Sequence, residues 1–350
     1  MNRIVILSVL IAVATVAFVI LLEFDQSQVS GKYDYVANEE GLVENLPLVP
    51  LDSQINLTLT ELKFNPTNQF IDEQWAIKSM GLPFLWSITM GSSDIVVAVL
   101  DTGIDKDHED LSGQVIGEVN FTESSTADDI YGHGTHIAGI IAAKNNDIGI
   151  LGIAPGVKLL NVKVADDRGR CNASDLAKGI IWAVDNGADI INISIEIKDP
   201  SPDLEEPIEY AWSHGVLIIA AAGNNGGQYP VYPAYYDNCI AVAAIKEDNS
   251  LAPLSNHGDW VTLAAPGFDI YSTLPNDGYG FESGTSFANA HVSGIAALLF
   301  GVVNDDNDNG KLNDEVLALI ESSCQNIGIT GVGQGKIDAT MISTLVNLSS

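Results

Sequence analysis

The chain has 350 residues and a formal net charge of −31, from 46 acidic and 15 basic side chains. A chain of this length can bury a large core, in one large domain or two small ones. The negative charge argues strongly against a nucleic acid partner, because proteins that bind nucleic-acid phosphates carry basic faces. The three cysteines provide no disulfide framework, and their odd number leaves at least one thiol unpaired.

The N-terminus carries a long apolar segment. An uncharged run from Ile4 to Leu22 follows Arg3 and is itself followed by Glu23 and Asp25. These nineteen residues nearly match the ~20 that span a bilayer, which favours an uncleaved membrane anchor. A secretory signal cleaved near Ala14 is the alternative, and it predicts a secreted protein. The basic residue before the run and the acids after it predict an N-terminus inside the cell and the bulk of the chain outside.

The sequence after the apolar segment divides into two parts. Residues 23–64 are acidic and contain prolines, with one alternating apolar run from Ile55 to Leu62, which is typical of a stalk or a short pro-region with one strand. From about Asn65 the pattern becomes that of a folded domain. We therefore expect an anchor or signal over 1–22, a spacer over 23–64 and one folded domain over 65–350.

Short apolar runs alternate with helical patterns in the folded domain. The runs predict fully buried strands, and several of the segments between them predict helices. This alternation predicts an α/β fold, with a mainly parallel sheet covered on both faces and joined by right-handed crossovers. The predicted strands are Ile95–Leu100, Leu159–Val164, Ile190–Ile195, Val216–Ala221 and Ile240–Ala244, and the predicted helices are His136–Ala143, Ala173–Asn186, Leu204–His214, Ile295–Phe300 and Asp314–Ser322.

Polar residues stand at the carboxyl ends of several predicted strands. Asp101 follows the first strand, Ser194 lies at the end of a later one, and Asn224 follows the strand Val216–Ala221. His133 opens a helix. Open parallel sheets bind ligands at the carboxyl ends of their strands, so we expect these side chains to lie close together.

A serine stands at the start of another helix. The stretch Gly284-Thr285-Ser286 leads into the apolar helical segment Ile295–Phe300. Backbone N–H groups at a helix N-terminus are unpaired and the helix dipole offers partial positive charge there. Both suit a nucleophile beside which a negative oxygen forms. Ser286 or Thr285 could equally be only an N-cap.

These residues make a chemical set. Acyl transfer by serine needs a base for the hydroxyl proton and a carboxylate that orients the base. His133 can be the base, Asp101 the carboxylate and Ser286 the nucleophile. Asn224 and the Ser286 backbone N–H can form an oxyanion hole. Each residue alone has an ordinary structural explanation, but the combination predicts catalysis by serine.

Six short motifs surround these residues, and through them the chain resembles the subtilisin family of serine peptidases, nearest to its thermitase-like branch. The likeness covers residues 70–339, nearly all of the folded domain. The motifs are Asp101-Thr102-Gly103, Gly132-His133-Gly134-Thr135-His136, Ala221-Ala222-Gly223-Asn224, Tyr232-Pro233-Ala234-Tyr235-Tyr236, Gly284-Thr285-Ser286 and Gly333-Gln334-Gly335-Lys336-Ile337-Asp338-Ala339.

The resemblance implies a three-layer αβα fold with a mainly parallel central sheet, and a cis Tyr232–Pro233 bond. It implies a serine endopeptidase that hydrolyses polypeptide substrates through an acyl-enzyme. The order Asp, His, Ser along the chain is that of subtilisin. It assigns the triad to Asp101, His133 and Ser286 and the oxyanion hole to Asn224. We expect the catalytic domain to be monomeric.

The resemblance places the substrate beside Ser194, Ile195, Glu196 and Gly223, where it would bind as an added strand. The family usually has glycines where this chain has Glu196 and its neighbours. One hypothesis is that this carboxylate favours Lys or Arg at one of the four positions preceding the cut. The alternative is that it points to solvent and pairs with Lys198.

A calcium site is also implied by resemblance. Asp110 and Asn146 can supply side-chain oxygens, and Lys144, Ile148 and Ile150 can supply backbone carbonyls, in the mixture that calcium prefers. A solvated loop is the alternative. The run from Asp305 to Gly310 follows the opening of an EF-hand loop, but its twelfth position is Val316, so a plain acidic turn is favoured there.

Three further departures from the family matter. Phe287 and Ala290 stand where the family usually has Met and Pro, and the stretch before the catalytic domain is short for a folding propeptide. Two other functions therefore stay open. One is a catalytically altered surface protein, a pseudoprotease or binding module, which Glu196 and Ala290 keep in consideration. The other is a transpeptidase that keeps the nucleophile but favours aminolysis.

Overall fold

A computed structural model describes residues 7–13, 16–22 and 66–349 of the chain. The chain divides into two units, Met1–Leu57 and Thr58–Ser350. In the first unit, the described residues form two antiparallel strands, β1 (Leu7–Val13) and β2 (Val16–Leu22), with Ala12 opposite Ala17.

This strand pair differs from the single membrane-spanning segment that the sequence predicted over Ile4–Leu22. The run is rich in valine and isoleucine, whose branched side chains favour strands, and an apolar run alone does not distinguish strand from helix. Within the described ranges, no helix combines the length and the apolar character needed to cross a membrane. The anchor or signal over 1–22 stays a prediction. The spacer over 23–64, with its expected strand Ile55–Leu62, lies outside the described residues.

The second unit is built around a nine-stranded sheet. The remaining strands of the chain are β3 (Val96–Asp101), β4 (Val115–Asn120), β5 (Lys158–Lys163), β6 (Ile190–Ile193), β7 (Leu217–Ala221), β8 (Cys239–Ile245), β9 (Leu263–Pro266), β10 (Ile270–Leu274), β11 (Gly278–Glu282), β12 (Cys324–Gln325) and β13 (Lys336–Ile337). The main sheet has the order β12-β13-β9-β8-β7-β6-β3-β5-β4, and β10 and β11 form a separate antiparallel pair. Every neighbouring pair in the main sheet is parallel except β12 and β13.

Helices cover both faces of this sheet. They are α1 (Trp75–Ser79), α2 (Leu82–Leu85), α3 (His133–Ala142), α4 (Ala173–Asp185), α5 (Pro202–Ser213), α6 (Thr285–Phe300), α7 (Asn313–Ser322) and α8 (Ala339–Ser349). Alternate residues of β3 point to opposite faces. Val97 and Val99 belong to the core that contains α3 and α6, whereas Ala98 and Leu100 belong to the core that contains α4 and α5. The predicted three-layer αβα fold with a mainly parallel sheet is confirmed.

The end of one predicted strand was misplaced, and the apolar patterns of two helices covered only part of each helix. Strand β6 ends at Ile193, because the chain leaves the sheet and Ile197 pairs instead with Tyr232. Helix α3 begins at His133, the expected helix start, but three residues before the apolar pattern His136–Ala143, because glycine in its first turn hides that pattern. Helix α6 begins at Thr285 and all 16 of its residues are buried, so the apolar segment Ile295–Phe300 is only its last part.

Candidate active site

The carboxyl end of β3 holds Asp101, whose side chain has no exposed surface. Its Oδ1 accepts a hydrogen bond from the Thr102 backbone N–H at 2.7 Å and lies 2.7 Å from Nδ1 of His133. An ionised carboxylate can only accept hydrogen bonds, so the contact places the ring proton on Nδ1. The Nε2 atom of His133 is then left as a proton acceptor.

Glycines allow His133 to approach the end of β3. Gly132, immediately before α3, has a φ of 104°, in the left-handed region that favours glycine. A Cβ at Gly134 would lie 2.1 Å from the Gly103 carbonyl oxygen and 3.1 Å from the Cβ of Asp101. The start of the helix can therefore touch the strand end only because this residue has no side chain.

Asp129 holds the loop that precedes His133, and the sequence analysis did not single it out. It is buried and accepts five hydrogen bonds. This carboxylate fixes the turn and the first residues of α3 together. The only signal in the sequence is an acidic residue three positions before the Gly-His-Gly turn. Its donors are the backbone N–H groups of Tyr131, Gly132 and Thr135 and the hydroxyls of Thr102 and Thr135, at 2.7 to 3.1 Å.

Three histidines lie in α3 and α6, and their pKa values differ. Burial lowers the pKa of His136 to about 3 and that of His291 to about 4, so both are neutral at ordinary pH. Burial also lowers the pKa of His133, but the negative charge of Asp101 and the hydrogen bond to it outweigh this, and the net pKa is raised. Among these three, His133 is the histidine suited to exchange a proton near neutral pH.

Ser286 lies in the first turn of α6 and is 4 % exposed. Gly284 occupies the N-cap position of this helix, and no side chain caps it, so the interpretation of Ser286 or Thr285 as a cap is wrong. Hydrogen bonds fix the helix start against the end of β6. The Ser194 hydroxyl donates to the Ser286 carbonyl oxygen at 3.3 Å, and the Asn289 side chain donates to the Ile193 carbonyl oxygen at 3.0 Å.

Asn224 follows β7 and faces the start of α6. Its Oδ1 accepts hydrogen bonds from the backbone N–H of Thr285 at 2.8 Å and from the Thr285 hydroxyl at 3.0 Å. The same hydroxyl accepts from the Gly223 N–H at 3.0 Å. Because these contacts use the oxygen side of the amide, the Nδ2 group of Asn224 is left to donate on the exposed side of the site. Thr285 thus orients Asn224, a role that the sequence did not predict.

Helix α6 forms with both of its departures from the family, Phe287 and Ala290, in place. Phe287 is 2 % exposed, and its ring centroid lies 5.5 Å from that of His133 and 4.5 Å from that of His136. Ala290 is completely buried within the helix. Neither substitution interrupts α6 or removes the Asp101–His133 contact.

The segment that follows β6 faces the segment that follows β7. Ile197 and Tyr232 exchange two backbone hydrogen bonds of 2.8 and 2.9 Å, and the Tyr232–Pro233 bond is cis, as the resemblance implied. Glu196 extends from one segment to the other. Its Oε1 accepts a hydrogen bond from Nδ2 of Asn225 at 2.7 Å. Within residues 66–349 it forms no ion pair with Lys198, so that alternative is wrong.

The remaining residues expected beside the substrate lie in the same two segments. Ile195 is half-buried against the core that contains α4 and α5. Gly223 has a φ of 96°, and a Cβ there would lie 3.1 Å from Oε2 of Glu196. Glu196 thus links the two segments beside Asn224.

The loop after α3 surrounds the side chain of Asn68, which the sequence analysis did not single out. Its Nδ2 faces four oxygens at once, whereas its Oδ1 is buried and has no hydrogen-bond partner in the described chain. An amide group has only two hydrogens for these four acceptors. The four are the carbonyl oxygens of Lys144 (3.1 Å), Ile148 (2.8 Å) and Ile150 (2.9 Å) and Oδ1 of Asn146 (3.4 Å).

Asp110 lies against this loop with no exposed surface. It accepts hydrogen bonds from the Ile150 backbone N–H at 2.9 Å, from Asn146 Nδ2 at 3.1 Å and from the Tyr279 hydroxyl at 2.9 Å. Burial raises its pKa, because these hydrogen bonds offset only part of the loss of hydration. The structure thus brings together all five residues that were predicted for calcium.

In the acidic run from Asp305 to Gly310, side chains accept hydrogen bonds from the chain itself. Asp305 accepts hydrogen bonds from the backbone N–H groups of Asn309 and Gly310 at 3.1 and 2.7 Å. Val316, the twelfth position of the EF-hand pattern, is buried in the core and offers no ligand. These contacts favour the acidic turn. In the part of the chain that the structure describes, no three His, Cys, Asp or Glu side chains group as in a metal site.

A buried Asp–His pair, a serine at a helix start and a side-chain amide beside it, on an αβα fold, are the features of a serine peptidase. The chain belongs to the subtilase family, whose model matches residues 92–334. It is a serine endopeptidase, and the Asp-His-Ser triad is the general mechanism of that family. The predicted family and activity are confirmed.

Several proteins are similar to this chain over most of its length. The chain is 38 % identical over 313 residues to a thermophilic serine proteinase of Bacillus sp. (strain AK1), covering 88 % of this chain and 76 % of that protein. It is 39 % identical over 274 residues to thermitase of Thermoactinomyces vulgaris, covering 77 % and 95 %. It is 39 % identical over 268 residues to subtilisin BL of Lederbergia lenta, covering 76 % and 96 %. These relatives favour a peptidase over a pseudoprotease or a transpeptidase.

Proposed function

We propose that Asp101, His133 and Ser286 are the catalytic triad of this serine endopeptidase. The observation that carries the proposal is the 2.7 Å contact between the fully buried Asp101 carboxylate and Nδ1 of His133. The raised pKa of His133 and the place of Ser286 at the start of α6 support the same assignment.

The chemistry follows from these positions. Ser286 Oγ attacks the carbonyl carbon of the scissile bond while its proton passes to Nε2 of His133. Asp101 holds the ring and stabilises the imidazolium that forms. The imidazolium gives its proton to the leaving amine as the C–N bond breaks, which leaves an ester on Ser286. A water molecule, deprotonated by His133, then hydrolyses the ester and restores the serine.

The negative oxygen of each tetrahedral intermediate needs donors that are already in place. We propose Nδ2 of Asn224 and the backbone N–H of Ser286 for this role. The hydrogen bonds from Thr285 to Oδ1 of Asn224 hold the amide in the required orientation before substrate binds. Donors that need no rearrangement at the moment of reaction contribute most to the rate.

The polypeptide substrate would bind as an added strand along the segment from Ser194 to Glu196, with Gly223 on the opposite side. Two observations support this arrangement. The segment leaves the sheet after Ile193, so its backbone is released from β7 and β3. The segment also passes Asn224, since Oε2 of Glu196 lies 3.5 Å from the Asn224 backbone nitrogen, and the scissile carbonyl would lie beside that asparagine.

Calcium is proposed as a structural ion in the loop around Asn68. The residues present fit such an ion, because four oxygens converge there and Oδ1 of Asn68 is buried without a partner. Turning the Asn68 amide over would add a fifth oxygen, and Asp110 would supply the carboxylate. The ligands would be side-chain oxygens of Asn68, Asp110 and Asn146 and backbone carbonyls of Lys144, Ile148 and Ile150. The ion would stabilise the loop.

For the cellular location we propose an N-terminal anchor over 1–22 with the catalytic domain outside, or secretion if the segment is cleaved. The apolar run after Arg3 supports this. We also propose a monomeric catalytic domain. Resistance of the full chain to extraction from membranes by alkaline carbonate, lost on deletion of 1–22, would support the anchor, and complete extraction of the intact chain would refute it.

A fluorophosphonate probe tests the catalytic assignment on the full chain. The probe reacts with a serine only when a base and an oxyanion hole activate it, so we expect labelling at Ser286 in the wild type and none in Ser286→Ala. Ser293→Ala, on the same helix, is the matched control and should still be labelled. A wild type that folds but is not labelled, or a label on another serine, would contradict the proposal.

A further inference from the structure

The carboxylate of Glu196 lies across the gap between the two segments beside Asn224. Oε1 accepts a hydrogen bond from Asn225 Nδ2 at 2.7 Å, and Oε2 lies 3.5 Å from the Asn224 backbone nitrogen. Oε2 would also be 3.1 Å from a Cβ on Gly223. The contact therefore joins the segment after β6 to the segment that carries the proposed oxyanion donor.

This position identifies one substrate residue. The carbonyl oxygen held by Asn224 belongs to the residue immediately before the scissile bond. The side chain of that residue is attached to the Cα atom next to the same carbonyl carbon, so it enters the space next to Asn224. That space is bordered by Gly223, which has no side chain, and by Glu196. Among the four positions considered from sequence, the structure selects the one directly before the cut.

The charge on Glu196 is not neutralised by the protein. Its two contacts are with neutral amide groups, and no lysine or arginine of residues 66–349 forms an ion pair with it. Lys198, two residues on, is exposed and does not reach it. A negative charge here also lies near the place where the oxyanion forms, and like charges oppose each other. A cationic substrate side chain would pair with the Glu196 carboxylate and would also reduce its repulsion of the oxyanion.

We infer that Glu196 makes this peptidase selective for Lys or Arg immediately before the scissile bond. The inference rests on the proposed function, because it uses the position of the oxyanion hole. The selectivity should appear in kcat as well as in KM, since a cation at Glu196 also relieves the repulsion of the developing oxyanion. A carboxylate that served only as a hydrogen-bond acceptor for Asn225 would produce no such selectivity.

The test uses two peptide substrates that differ only in the residue before the cut, arginine in one and its neutral isostere citrulline in the other. For the full-length wild type we expect kcat/KM to be about five- to tenfold higher for arginine at low salt, the range of a partly exposed ion pair. The ratio should fall severalfold in ~1 M salt, where the Debye length is about 3 Å.

Two variants separate charge from shape. Glu196→Gln keeps a side-chain oxygen for Asn225 but removes the charge, so we expect the ratio to fall to about one, through slower cleavage after arginine and faster cleavage after citrulline. The control is Glu209→Gln on α5, which removes a glutamate that likewise accepts from an asparagine amide, Asn238 Nδ2 at 3.0 Å. It should keep the wild-type ratio. Glu196→Asp, which carries the carboxylate on a shorter side chain, should keep part of the preference for arginine.

The outcomes are distinct. Labelling with the fluorophosphonate is measured first and gives the concentration of functional enzyme. If the proposed function is wrong, Ser286 is not labelled. An enzyme that is labelled but has the same ratio in the wild type and in Glu196→Gln overturns the inference. So does a preference for cations that mass spectrometry of the products places at another position. If Glu196→Gln does not fold, the salt dependence of the wild-type ratio decides, and a ratio near one at low salt overturns the inference.

Discussion

The active centre and the loop around Asn68 differ in how their asparagine side chains are held. At the active centre, Asp129 accepts five hydrogen bonds and Asn224 Oδ1 accepts two, all from groups of the protein. In the loop, one amide nitrogen faces four oxygens and its own oxygen has no partner. The protein therefore orients the Asn224 amide by its own hydrogen bonds, whereas calcium is proposed to complete the contacts of Asn68 in the loop. Catalytic activity and the melting temperature should therefore respond to different substitutions.

The largest expected effect concerns the nucleophile. Ser286→Ala should lower kcat by roughly 10⁶-fold, because every covalent step passes through this hydroxyl. The melting temperature and its response to calcium should stay at wild-type values, since the serine hydroxyl is not part of the loop. Peptide hydrolysis and differential scanning calorimetry measure the two quantities. A loss of calcium response in this variant would show that the two regions are not independent.

A smaller loss should follow removal of the oxyanion donor. Asn224→Ala should lower kcat by about 10²- to 10³-fold with little change in KM, because the amide binds a charge that exists only in the transition state. Thr285→Val should lower kcat in the same direction by a smaller factor, since it removes one of the two hydrogen bonds that orient the amide. Steady-state kinetics on one peptide suffice. A variant that raised KM and left kcat intact would contradict this role for Asn224.

Calcium should act on stability instead. An ion that binds only the folded state contributes about 2.7 kcal/mol when present at a hundredfold excess over its Kd. Chelation should therefore lower the melting temperature by roughly 4 to 5 °C for a domain of this size. Asn68→Ala and Asp110→Ala should each reduce the response, whereas Asn309→Ala, in the acidic turn, should not. A wild-type melting temperature that is indifferent to calcium would refute the site.

The smallest effect is a shift along the pH axis. Activity should rise with pH as His133 loses its proton, since only the neutral ring can accept the proton of Ser286. Because the pKa of His133 is raised, the midpoint in the free enzyme should lie at or above the ordinary value of about 6.5. Rates of ester hydrolysis between about pH 4 and 9 give the profile. A flat profile over this range would exclude His133 as the base.

Much of the active centre could be predicted because its residues stand at recognisable boundaries. Asp101 and Asn224 follow apolar strands, and Ser286 precedes an apolar helix, so the topology of a parallel sheet brings them to one edge. What could not be predicted is how these residues are held. Thr285 and Asp129 act through hydrogen bonds to backbone and side-chain groups, and residue types so common in turns and caps give no signal of that role.

Asn68 was missed for a different reason. Its partners lie 76 to 82 positions further along the chain, and only the folded structure shows that they converge on it. The stretch around Asn68 has neither an apolar period nor a motif. Sequence reasoning could name the loop residues by resemblance, but not the residue at their centre. The N-terminal run shows the same limit, because apolar composition alone did not decide between a span and the paired strands β1 and β2.

The ring of Phe287 against His133 has a consequence for tolerance to oxidants. Hydrogen peroxide converts methionine to a polar sulfoxide, and a phenyl ring offers it no sulfur at this position. None of the four methionines, at positions 1, 80, 90 and 341, is among the residues proposed for catalysis. Burial raises the pKa of Cys171 and Cys324 to about 12, so their thiols stay protonated and react slowly. Among the methionines that the structure describes, an oxidising medium should therefore alter the exposed Met341 first and spare the reaction centre.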